Sequence, residues 1–164
     1  MLKDTNVNVQ IAGFRLLTRA QVEIPREDLL ALFSVPRMEL AGAAMGRLKR
    51  EGISCEEAKP LLHNSLGMAR MCGLAVLAID ANSQSVELAI PLLKDPEEAI
   101  RIRSHDLLTD LTGQNFPADR PEQWEKWWEQ NKATFTVSIS PEDLRKKQLE
   151  RARQRRSMEN GSPP

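Results

Sequence analysis

Residues able to bind a metal or act as nucleophiles are few: Cys55, Cys72, His63 and His105. Structural zinc sites draw on close pairs of such ligands, usually two to four residues apart. Here the nearest two, Cys55 and His63, stand eight apart, so the spacing predicts no metal and no cofactor. His105 and Asp106 could supply a base and its orienting group to a nucleophile. Neighbours on a helix point in different directions, however, so the pair reads as structural and no catalytic residue is expected. Cys72 reads as a buried packing residue. The glycines occur singly, and no phosphate-cradling loop is present. The chain reads as a non-enzyme.

Charge offers a second kind of chemistry. The 164 residues carry 23 Lys+Arg and 23 Asp+Glu, so the whole surface has no bias toward polyanions. The bias is local. Residues 136–164 hold seven basic side chains (Arg145, Lys146, Lys147, Arg151, Arg153, Arg155 and Arg156) against four acids, a net of +3. Such a tail could bind nucleic acid or an acidic protein. The plainer expectation is a solvated, partly helical or disordered extension. Trp124, Trp127 and Trp128 fall at i, i+3 and i+4, on one helical face. They could stack a ligand, but a hydrophobic end cap is the stronger reading. Two cysteines and no signal pattern suit a reducing cytoplasm, and no apolar run is long enough for a membrane.

These residues are positioned by an internal repeat. Val9, Met38, Ala69 and Ile100 are separated by 29, 31 and 31 residues. Two residues on from each stand Ile11, Leu40, Met71 and Ile102. Four on stand Gly13, Gly42, Gly73 and Ser104, and seven on stand Leu16, Met45, Val76 and Leu107. That spacing lines one face of a helix, and a period near thirty predicts a solenoid. A shorter element precedes two of these helices. Ala58 to Asn64 (AKPLLHN) matches Ala89 to Asp95 (AIPLLKD), with Pro60 and Pro91 expected to kink both copies.

The pattern predicts helices at about 5–19, 25–35, 37–50, 54–63, 66–80, 85–94, 96–111, 120–131 and 141–156. Ser54 and Glu57 have capping-box form, and Asp95 is expected to cap the seventh helix, with Pro96 at its first position. Gly52 and Gly113 suit left-handed helix ends. Thr134 to Ser140 (TFTVSIS) is the nearest approach to a strand.

The segment A-x-P-L-L-K-D at Ala89 to Asp95, followed by I-R-x-x-S at Ile100 to Ser104, resembles the HEAT-like repeats of roughly thirty residues. The resemblance covers about residues 1–135 and implies an all-α, right-handed α-solenoid of about four helix pairs. Leu111 to Phe135 resembles the closing segment of bacterial members, with Trp124, Trp127 and Trp128 as the cap. In that family an Asp or Asn in the turn and an Arg six residues on form a ladder. Asp95 with Arg101 fits it and Asn64 with Arg70 fits it in part, whereas Gln10 and Glu39 break it. The column that is usually alanine is here glycine or serine, which implies close approach of the paired helix. Neither histidine is followed by Glu, so the His-Glu iron sites of some family enzymes are not implied.

The resemblance implies a repeat array at 1–135 followed by the basic tail at 136–164. It also implies a non-catalytic protein-interaction or scaffold module. Arg15, Glu39, Arg47 and Arg70 are the expected partner contacts. The alternative is nucleic-acid association through the tail. Leu2-Lys3-Asp4 matches the end of a missing first helix, so the helix at 5–19 is expected to expose Val9, Phe14, Leu16 and Leu17. That reads as a fragment of a longer array, as an end open to a second copy or another protein, or as an end capped by another part of the chain such as the tail.

Overall fold

The computed structural model describes Leu2 and residues 4–159. Among them every regular element is helical: α1 (Val7–Arg19), α2 (Arg26–Ala31), α3 (Met38–Glu51), α4 (Cys55–Leu62), α5 (Gly67–Asp80), α6 (Ser83–Ala89), α7 (Glu98–Thr112), α8 (Pro121–Asn131) and α9 (Pro141–Glu159). Thr134 to Ser140 runs as turn and loop; the β-branched residues have no strand to pair with. None of these helices is long and apolar enough to cross a membrane. The chain forms two compact units, Met1–Val76 and Leu77–Pro164.

In the first unit, Asn6 caps α1, its side chain accepting the Asn8 N–H at 2.9 Å. α2 passes into a 3-10 turn at Leu32–Ser34, and that transition buries Leu29, Leu32 and Phe33 together. α3 buries Leu40, Ala41, Ala44 and Leu48, spaced for one helical stripe. Gly52 ends α3 at φ 83°, in the left-handed region where a Cβ is costly. The expected capping box forms: the Glu57 carboxylate accepts the Ser54 N–H at 3.0 Å.

The glycine column is heterogeneous. A Cβ on Gly73 would lie 2.6 Å from Leu62 Cδ2, so close packing on α4 demands glycine there. A Cβ on Gly42 would meet nothing within 4 Å, and Gly42 is exposed. Close approach therefore accounts for Gly73 and not for Gly42. α1 buries Phe14, contrary to the expectation that it lies open, and leaves Leu16 56% and Val9 36% exposed.

In the second unit, Asn82 caps α6, accepting the Ser85 N–H at 3.1 Å. At Pro91 the chain goes over to a 3-10 turn, Ile90–Lys94, whereas α4 continues through Pro60. The two matched prolines thus have different consequences. α7 starts at Glu98, two residues later than the sequence suggests. Asp95 is not its cap; it closes a turn by accepting the Glu97 N–H at 2.9 Å. Ser104, fully buried, donates to the Ala89 carbonyl at 2.6 Å and so ties α7 to α6. Trp124 and Trp128 of α8 and Leu144 of α9 complete this core.

Candidate binding surfaces

Three turns that lead into longer helices share one hydrogen-bond design. Asp4, Asn64 and Asp95 each accept, through Oδ1, the N–H two residues on, at 2.8, 2.9 and 2.9 Å. Six residues after each stands a donor. Arg70 Nη1 reaches the Asn64 and Ser65 carbonyls at 2.8 and 3.0 Å. Arg101 Nη1 reaches the Asp95 and Pro96 carbonyls at 2.9 and 3.1 Å. Gln10 Nε2 reaches the Asp4 carbonyl at 2.7 Å. The long side chain thus satisfies turn carbonyls that no helix serves. Asn64 Nδ2 also donates to Ser34 Oγ at 2.9 Å, linking the turn before α5 to the 3-10 turn before α3.

That design removes Arg70 from the expected partner contacts: it is 7% exposed and spent on the turn. Arg47 pairs with Glu51 one turn along α3 at 2.9 Å. Arg15 and Glu39 pair with each other across α1 and α3, both well exposed. They also flank a groove of about 300 Å³ walled by Ile11, Phe14, Thr18, Arg19, Leu40 and Ala43. The groove itself was not legible in the sequence, because it depends on how α1 crosses α3.

The sequence also gave no sign of the clamp formed by Arg26. Its guanidinium grips the Glu57 carboxylate with Nε on Oε1 and Nη2 on Oε2 (the latter 2.8 Å), and Nη2 also reaches the Gly52 carbonyl. Glu57 is held well below the usual carboxylate range, at about 2, chiefly by the Arg26 hydrogen bond.

In the second unit the three tryptophans divide. Trp124 is fully buried, edge-on to Phe116 and His105 with ring centres 5.1 and 5.9 Å away. Trp128 is also buried, and Trp127 is half-buried; Phe135 meets both edge-on. Trp127 also lines a shallow hollow of about 350 Å³ with Phe116, Gln123, Lys126 and Gln130. His105 Nε2 donates to the Phe116 carbonyl at 2.7 Å, so that nitrogen is committed to holding the loop before α8. His63 is exposed in a turn. Cys55 is the buried thiol; Cys72 is half-buried, and burial pushes its thiol up. No cluster of three metal-ligating side chains occurs among the described residues.

The tail is an ordered helix through Glu159. Leu144 is buried at 1% exposure, and Arg103 Nη2 donates to Gln148 Oε1 at 2.8 Å. Arg151 bonds Asp106 at 3.1 Å and Asp110 at 2.8 Å, and Arg155 pairs with Asp106. Two of the seven basic side chains are therefore occupied within the unit. The sequence carried a signal for this. Asp106 and Asp110 are four apart on α7, Arg151 and Arg155 are four apart on α9, and matched helical spacings can face each other. Arg145, Lys146, Lys147, Arg153 and Arg156 are exposed.

No protein-family model, no curated protein and no solved structure matches this chain.

Proposed function

We propose that the chain is a non-catalytic interaction module: HEAT-like helix pairs forming a right-handed α-solenoid that works in the cytoplasm as a scaffold or docking surface. The recurring turn at Asp4, Asn64 and Asp95 supports the repeat reading, because one local solution leads into three of the longer helices, α1, α5 and α7. The α1–α3 groove carries the binding reading. Its floor is apolar and its rim holds Arg15, Arg19 and Glu39. Arg15 is already paired with Glu39. A fitting partner is a protein segment that inserts an apolar side chain and brings a carboxylate toward Arg19.

The test is a nuclease-treated pull-down from source lysate, using the full chain and a Thr18→Glu, Ala43→Glu variant. Stoichiometric capture of a protein by the parent and its loss from the folded variant would support the reading. Equal capture by both would sink it. Light scattering on the purified chain adds a check: a dimer abolished by the same substitutions would replace a foreign partner with a second copy.

A further inference from the structure

The basic residues of α9 separate by face. Leu144, Gln148, Arg151 and Arg155 follow steps of four, three and four, and this is the side that meets α7. Arg145, Leu149, Arg153 and Arg156 follow steps of four, four and three on a side turned away, with Lys146 beside them. Arg145, Lys146, Arg153 and Arg156 are all exposed, and none has an ion-pair or hydrogen-bond partner among the described residues. Elsewhere Arg15, Arg26, Arg47 and Lys94 each have a carboxylate. Glu142 is the acid on the same side, at the helix N-terminus where the dipole favours it, and Glu150 stands toward the flank.

We infer that this outward stripe binds the phosphate backbone of a nucleic acid. Four cations along rather more than three turns of helix, about 16 Å at 1.5 Å per residue, meet a polymer with a regular series of negative charges. The inner contacts set the orientation: Leu144 seats α9 on α7, and Arg151 and Arg155 face Asp110 and Asp106, so the four cations already stand on the outward side of one helix before any ligand arrives. Arginine suits the ligand, since its planar fork bonds phosphate oxygens bidentately. An anionic membrane is the poorer match, because the stripe has one exposed leucine and no aromatic residue to enter lipid. No side chain on the stripe is placed to read a base, so the binding should be indifferent to sequence.

The experiment is fluorescence anisotropy with labelled single-stranded RNA and duplex DNA of about 20 nucleotides, using the full chain. With four phosphate contacts the log–log slope of affinity against salt should be about −3 to −4, a loss of roughly 100-fold between 50 and 200 mM. The Arg145→Gln, Lys146→Gln, Arg153→Gln, Arg156→Gln variant should lose at least about tenfold and most of the slope. Its helix content by circular dichroism should match the parent's. Glu142→Lys needs no loss of structure to be informative: it should tighten binding and steepen the slope by about one. The inference is overturned by no binding of either oligonucleotide at 50 mM salt, or by full binding in the glutamine variant. Tighter binding to a poly-glutamate peptide, or to phosphatidylserine vesicles, would overturn it in favour of an acidic protein or a membrane.

Discussion

In the first unit Glu57 meets Arg26 with both carboxylate oxygens and also takes the Ser54 N–H and hydroxyl. In the second unit Asp110 meets Arg151 with one oxygen at 2.8 Å, while its other oxygen is buried without a partner. Both are arginine–carboxylate contacts between helices. Their carboxylates move in opposite directions: Glu57 falls to about 2, and Asp110 is pushed up, chiefly by burial, despite Arg151 and Lys147 nearby. An arginine nearby does not decide whether an acid stabilises the fold. What decides is whether every desolvated oxygen finds a donor. Glu57, its side chain 22% exposed, keeps some water and gains four bonds, whereas Asp110 has a 1% exposed side chain and loses more hydration than Arg151 returns.

If the α7–α9 ion pairs are that poorly balanced, the apolar anchor must hold the helix. Leu144→Ala should give the largest effect, about 3 kcal/mol, from lost burial and the cavity left behind. Amide hydrogen exchange in α9 should accelerate roughly 100-fold, while α1–α4 stay as protected as in the parent. An α9 that kept its protection would mean that the arginines hold it, and the contrast between the two clusters would fail.

The clamp itself is tested by Glu57→Gln, expected to cost about 2 kcal/mol. A depression to about 2 converts to a larger figure, but Arg26 is 39% exposed and water screens the pair. The folded pKa lies below the unfolded one, near 4.5. The contribution is therefore complete above the unfolded value and disappears as pH falls through the folded one. Urea denaturation at pH 6 and near pH 2.5 should show a parent–variant gap that shrinks on acidification. A gap unchanged with pH would assign the effect to packing.

The sequence carried different parts of this picture unequally. Most helix bounds were legible to within a residue or two, because apolar side chains recur at three and four, and Gly52 and Gly113 stop their helices with positive φ; α9 runs three residues further than expected, and α2 and α6 give way to 3-10 turns before their expected ends. The all-helical class followed from the same periodicity. The Asp95–Arg101 and Asn64–Arg70 relation was legible as a spacing, yet its atoms were not: the arginines reach backbone carbonyls, which no sequence displays. The start of α7 was misplaced because Asp95 can cap a helix or close a turn, and Pro96 tolerates both. Gly42 and Gly73 look alike in the repeat, and only the distance to Leu62 separates them. The α1–α3 groove and the Arg26 clamp depend on helix crossings. The partition of the tail's cations was latent in two matched four-residue spacings, but needed the structure to show that Arg151 and Arg155 are the two that meet α7.

The smallest expected change is the one that separates the two clusters most sharply. Asp110→Asn removes the charge and keeps the shape. The amide oxygen can still accept from Arg151, and the buried position loses an anion that water no longer solvates. At pH 7 the change should be neutral or favourable, within about 1 kcal/mol, against the loss of about 2 for Glu57→Gln. The pH dependence should also reverse. Because the folded pKa of Asp110 is raised, its ionised form carries a penalty that is full above that value. The penalty is relieved as pH falls through the folded pKa toward the ordinary 3.8. Denaturation of parent and variant from pH 7 toward pH 4 should therefore show the parent gaining on the variant. A loss at pH 7 as large as that of Glu57→Gln would make Asp110 a net stabiliser, and the unpartnered oxygen would then have to be solvated.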